Sequence, residues 1–160
     1  MKYHRLTKEQ FSTLHYEFAR FLATQSIDKA DWEKMKSEKP DVAEAELDVF
    51  SDLVWEGALN QAKYLDQISK SHVFLFGIHD TFMSCIVIKS LNTAIDFTTQ
   101  EGFNWLTSAL LSEDVEWQHG KKTFTDEKNK EVFSLIRQGA QITDGQLYKQ
   151  LYPLIEQGKI

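Results

Sequence analysis

The chain has 160 residues, 42% of them apolar and 12% aromatic, with only 7 Gly and 2 Pro. That composition supports a real hydrophobic core, excludes a disordered chain and disfavours a many-turned all-β architecture. Its 24 acids against 18 bases, a net charge of −6, argue against nucleic acid as the main partner, and a single cysteine excludes an internal disulfide and fits a reducing compartment.

At this length one α+β domain over residues 1–160 is expected. The opening Met-Lys-Tyr-His-Arg-Leu-Thr-Lys lacks the apolar centre of a signal peptide. No apolar run approaches the ~18 residues of a membrane span, so a cytoplasmic protein with no membrane partner is expected.

Residues 7–24 read as the first helix: Thr7 and Gln10 have capping-box spacing, and Phe11, Leu14, Phe18, Phe21 and Leu22 recur at helical intervals. His15 beside that stripe reads as a boundary histidine. A short helix follows over residues 29–37, with Asp28 as its cap and Ile27 and Trp32 at staple spacing. Lys34, Lys36 and Lys39 make its end basic.

Residues 41–68 read as one long central helix, opened by Pro40 and by acids that suit the positive end of the helix dipole. Steps of about 100° sort Leu47, Phe50, Val54, Ala58 and Leu65 into an apolar arc that Val42, Val49 and Leu53 widen. The opposite arc holds Asp41, Glu44, Asp48, Asp52 and Glu56. The last four are spaced four apart, and like charges at that spacing cost roughly 0.2–0.5 kcal/mol per pair. Residues 41–60 carry six acids and no Lys or Arg; outside them the chain has equal numbers of acids and bases. Trp55 and Leu59 fall on the same acidic arc, a Trp anchor in an acidic rim that suits a basic partner. Gly57 marks either a bend or a close backbone approach.

The period then changes. His72-Val-Phe-Leu-Phe-Gly-Ile-His and Thr81-Phe-Met-Ser-Cys-Ile-Val-Ile-Lys read as a hairpin turned at His79-Asp80. Alternation assigns Phe82, Ile86 and Ile88 to one face, and Met83, Cys85 and Val87 to the other. Both faces are apolar, so helices cover both sides, or a second subunit or a ligand covers one. Residues 95–97 are expected to add a short strand, and Thr98 or Thr99 to cap a helix to about 111. Residues 115–119 read as another short strand, with Lys121 and Lys122 in its turn. A helix over 125–138 stops at Gly139. A last helix is capped by Thr143 with Gln146, and Pro153 should kink or end it near Tyr152. The whole reads as a helix-rich α+β domain with a long central helix and a small, mainly antiparallel sheet.

No catalytic signature appears. Cys85 lies mid-strand among apolar residues, without the electropositive, accessible setting of a reactive thiol. No glycine spacing matches a phosphate loop, and no Gly-x-Ser-x-Gly elbow occurs. The histidines at 4, 15, 72, 79 and 119 form no HxH or HxxxH pair. Glu116 and His119 have the Glu-x-x-His interval of di-iron bundles, but only once and outside a helix. The carboxylate row offers a cation ligands from one side only. No metal, cofactor or catalytic residue is assigned.

At Leu6-Thr-Lys-Glu-Gln, Phe18-Ala-Arg-Phe-Leu-Ala-Thr-Gln-Ser-Ile, Glu46-Leu-Asp-Val-Phe-Ser-Asp-Leu-Val-Trp-Glu and Thr99-Gln-Glu-Gly-Phe-Asn-Trp-Leu, the chain resembles a family of small bacterial proteins labelled as a domain of unknown function. The likeness spans most of the chain. It implies a bacterial cytoplasmic protein and brings no catalytic residues.

Three functions follow as expectations. The first is a non-catalytic accessory or protein-interaction module. It would bind a partner with a basic surface through Glu44, Asp48, Asp52, Trp55, Glu56 and Leu59. The second is a homodimeric or small-ligand-binding domain using the second apolar face of the 72–90 hairpin. The third is an enzyme with an unrecognised carboxylate or histidine site.

Overall fold

The computed structural model describes residues 1–159. Among them, seven helices accompany one five-stranded antiparallel sheet, an α+β architecture. The chain divides into two compact units, residues 1–60 and 61–160.

The first unit is helical: α1 (Lys8–Thr13), α2 (His15–Thr24), α3 (Lys29–Glu38) and α4 (Pro40–Gln61). The expected first helix is two, because Leu14 leaves helical geometry at φ −99° and ψ 23°. Thr7 forms the capping box with Gln10, and Asp28 forms one with Asp31. The centre of this unit is aromatic. Phe11, Phe18 and Phe21 each meet the buried Phe50 ring, with centroids 5.0–5.9 Å apart, and Trp32 packs edge-on against Phe18 at 5.2 Å. Such ring pairs add about 0.5–1.5 kcal/mol each beyond simple area burial.

The wheel of α4 is turned from the expected one. Ala43, Phe50, Ser51 and Leu59 are buried, whereas Val42, Val49 and Leu53 are 44%, 50% and 56% exposed. Ala58, expected in the apolar arc, is exposed too. The buried stripe has shifted toward the acidic arc, because the segment 2–6 covers that side and binds Ser51 through the Leu6 N–H at 3.1 Å. Gly57 lies within the unbroken α4 and admits no other backbone: a Cβ there would meet nothing within 4 Å.

In the second unit the sheet comprises β1 (Tyr64–Ile68), β2 (His72–Ile78), β3 (Phe82–Ser90), β4 (Val115–Thr123) and β5 (Gln141–Thr143), in the order β4-β3-β2-β1-β5. Residues 64–68 are strand and not the end of the central helix. They pair with β2 from Tyr64↔Gly77 to Ile68↔Val73, which buries Leu65 completely; pairing overrides local helical preference here. The expected strand at 95–97 is a pair of turns. Asn92 Oδ1 accepts the Ala94 N–H and Asp96 Oδ1 accepts that of Thr98, so the backbone groups are used locally.

The remaining helices are α5 (Gln100–Ala109), α6 (Lys128–Arg137) and α7 (Gln146–Glu156). Both sheet faces meet helices, the first of the coverings expected for the two-sided apolar hairpin. Val73, Leu75, Ile86 and Ile88 project from one face into a core with Phe97, Leu106 of α5, and Tyr148 and Leu151 of α7. A fully buried side chain of this size contributes about 1.5–3 kcal/mol. Phe76, Met83 and Cys85 project from the other face, toward Ser134 and Leu135 of α6 and its C-terminal cap Gln138. Gln67 Nε2 ties α6 to β1 by donating to the Gln138 carbonyl at 2.9 Å.

Two ends depart from expectation. The cap of α7 is Gly145 and not Thr143: the Thr143 hydroxyl accepts the Gly145 N–H and donates to Asp66. Gly145 has φ +77°, and a Cβ there would lie 2.3 Å from the Tyr64 ring. Pro153 does not end α7, which continues to Glu156.

Candidate functional site

The acidic arc of α4 is answered within its own unit. Arg5 donates to Asp48 at 2.6 Å through Nε and to the Glu44 carboxylate through Nη1. The backbone N–H groups of Lys2 and Tyr3 both donate to Asp52, at 2.6 and 2.9 Å. Glu56 accepts from Lys2 Nζ at 3.1 Å and from the Tyr3 hydroxyl at 2.5 Å. Burial, and then the Glu56 carboxylate, push the Tyr3 phenol up to about 12. The Arg5 guanidinium holds Asp48 below the usual carboxylate range, and the two carboxylates raise Arg5 in turn. Trp55 is half-buried under His4, and Leu59 is 0% exposed. The arc that reaches water is therefore shorter than the wheel indicates and stops before Leu59.

Sequence reasoning passed over a different constellation, in the second unit. Ser84 is a buried polar residue between Phe82 and Ile86 in the β3 row that continues through Ile88 to Ser90. The register sets Ser84 between Gly77 of β2 and Lys121 of β4, and Tyr64 lies one strand beyond Gly77. From α7, the Tyr148 hydroxyl reaches Ser84 Oγ at 2.5 Å. Ser84 Oγ also lies 3.4 Å from the Gly77 carbonyl oxygen, and either hydroxyl can donate in the shorter contact. Both residues are buried, at 5% and 8% exposure. Gly77 makes the arrangement possible: a Cβ would stand 2.8 Å from Ser84 Oγ and 3.0 Å from Tyr148 Cζ.

Around these hydroxyls a cleft of about 370 Å³ opens between the sheet and α7. Its walls are Tyr64, Phe82, Tyr148 and Tyr152, with His79, Lys121 and Lys149 at the mouth. Tyr148 stacks on Tyr152 at 5.5 Å and leans on Tyr64 at 5.4 Å, while His79 stacks on Phe82 at 4.2 Å. An adjoining hollow of about 530 Å³ extends past the hairpin tip, by Lys63, Asp80 and Thr81. The residues brought together come from β1, the β2–β3 turn, β3, β4 and α7.

Burial raises the Tyr148 phenol, and the Ser84 hydrogen bond only partly offsets that, so the phenol stays protonated. His79 Nε2 stands 3.5 Å from Ser84 Oγ, at the outer limit of a hydrogen bond. A serine nucleophile would need a closer base and an accessible oxygen.

On the opposite face, Phe76, Met83 and Cys85 floor a second cleft of about 440 Å³ beside α6. Burial pushes the Cys85 thiol up to about 11, which keeps it protonated. Glu131 on its rim is held down to about 2, first by Lys122 at 2.7 Å and then by the Thr125 and Asp126 N–H groups. Lys121 and Lys122, expected in a turn, lie within β4 opposite Ser84 and Met83, which places one lysine on each face. Among the described residues no three His, Cys, Asp or Glu side chains gather as metal ligands, and no helix is long and apolar enough to cross a membrane.

No curated protein and no solved structure matches the chain. One family model matches residues 1–156, and by that match the chain belongs to a family of unknown function, DUF6495.

Proposed function

We propose that this protein is a non-catalytic, small-ligand-binding protein whose ligand occupies the cleft between the sheet and α7. The observation that carries the reading is the Ser84–Tyr148 pair, two buried hydroxyls at the base of an aromatic-walled cleft. Ligand sites commonly combine apolar walls with a few convergent polar groups. A core without a ligand to recognise would be better filled by an aliphatic residue at position 84. The cytoplasm is the compartment this reading assumes.

Backbone-amide NMR of the full chain against a library of small aromatic compounds tests it. Binding should move the amides of Gly77, Ser84 and Tyr152 together, and Tyr152→Ala should abolish the shifts. A library that leaves those amides in place removes the reading.

A second reading, protein docking through α4, is favoured by one observation: Val42, Val49 and Leu53 expose an apolar strip along that helix. Under it, Val49→Lys with Leu53→Lys loses a partner that co-purifies with the native protein. Equal recovery with that variant rules the docking out.

A further inference from the structure

We infer that the ligand of the α7 cleft is a planar organic anion, an aromatic ring carrying a carboxylate, sulfonate or phosphate; this rests on the ligand-binding reading above. The argument starts from charge. In a chain of net charge −6, the lining of this cleft includes Lys121 and Lys149 and no carboxylate. Neither lysine makes an ion pair among the described residues. The neighbouring Lys122 does, with Glu131.

Aromatic rings and a carbonyl hold the two ammonium groups instead. Lys121 Nζ stands 5.4 Å from the Phe82 centroid, and Lys149 Nζ stands 5.0 Å from that of Tyr64. Lys149 also donates to the Asp144 carbonyl at 2.9 Å. An ammonium on a ring face keeps most of its charge available, since the ring offers a quadrupole and no counter-charge. Acids lie outside this lining: Asp80 in the hollow beyond the hairpin tip, Glu156 in a pocket beside His119, and Asp144 and Asp66 behind Lys149 and Thr143.

The walls specify the rest. The stacked Tyr148 and Tyr152 rings present flat surfaces, which select a planar body. Whichever hydroxyl donates across the Ser84–Tyr148 contact, the other keeps one proton that can turn to an anionic or carbonyl oxygen. Two positive charges at the mouth with one hydroxyl donor at the base orient such a ligand along the cleft.

The test uses the full chain and two dyes with the same ring system, 8-anilinonaphthalene-1-sulfonate and the neutral N-phenyl-1-naphthylamine. Fluorescence titration should give about tenfold tighter binding of the sulfonate, the value of one charge-assisted contact. Lys121→Gln with Lys149→Gln should remove that margin and leave the neutral dye unchanged, while Tyr152→Ala should weaken both. If both dyes bind equally and both depend on Tyr152, the anion assignment falls and the ligand-binding reading stands. If neither dye responds to Tyr152→Ala, both fall.

Discussion

The Trp55 indole donates its N–H to the His4 carbonyl at 3.1 Å, and the His4 ring meets the same indole edge-on at 5.2 Å. This pair closes the row in which Arg5, Lys2 and Tyr3 satisfy the acids of α4. Removing Arg5 leaves Glu44 and Asp48 one turn apart with no cation between them. Arg5→Ala should therefore lower stability by roughly 1 kcal/mol, a modest value because the ion pairs are partly exposed. Urea denaturation would show it, and the loss should shrink in 1 M salt (order of magnitude from screening). A salt-independent loss would mean that packing of the Arg5 stem matters more than charge.

The two glycines that begin and interrupt helices should respond oppositely to alanine. At Gly102 a Cβ would fall 1.8 Å from the Asp96 carbonyl oxygen, a backbone atom that cannot swing aside. Gly102→Ala should detach the first turn of α5 from the 92–99 loop and cost about 3 kcal/mol or more, at the upper end of overpacking penalties. At Gly57 the space is open, and Gly57→Ala should stabilise α4 by about 1 kcal/mol. Thermal unfolding of the two variants checks both signs.

Gly77→Ala should displace the Tyr148 ring and cost about 1–3 kcal/mol. Tyr148→Phe removes only the hydroxyl. Ser84 keeps the Gly77 carbonyl, so about 1 kcal/mol is expected. The proposal for the cleft requires ligand affinity to fall in both. An unchanged affinity in Tyr148→Phe would show that this hydroxyl fastens α7 to the sheet and does nothing more.

Glu131 gives a prediction in pH. Its carboxyl is depressed to about 2 from an ordinary value of 4.5, mainly by Lys122. A lowered folded-state value stabilises the protein above the unfolded value, and that stability is lost as pH falls from about 4.5 toward 2. Glu131→Gln should flatten the acid side of the stability curve in that window and leave the slope between pH 6 and 8 (roughly neutral) unaltered. Chemical denaturation at a series of pH values measures this.

Much of the fold could be read from residue order. The alternation of 82–88 assigned its two faces correctly, because successive side chains of a strand point to opposite faces whatever their chemistry. Local capping chemistry placed α3 and α5 to within a residue or two, through Asp28 and Thr99. Residues 64–68 were lost to the helix before them, since no Gly or Pro separates the two and only pairing with β2 decides the outcome. The first half of β4 was read as a strand at 115–119, and its second half, from Gly120 with the two lysines, was read as a turn. The cleft was illegible for a related reason: Ser84 and Tyr148 are 64 residues apart, and only the register of three strands and the pitch of α7 bring them together. Two hints existed, a serine between Phe82 and Ile86 in its row and a glycine inside β2.

Strand β4 forms one rim of the sheet, and its residues from His119 to Thr123 are exposed. Such an open border is a template on which another chain could add a strand and begin fibrous stacking. Lys121 and Lys122 occupy that border on opposite faces, and charge there discourages the addition. The side chain proposed to greet an anion thus also guards solubility, and replacing both lysines with valine would invite aggregation of a chain that still folds.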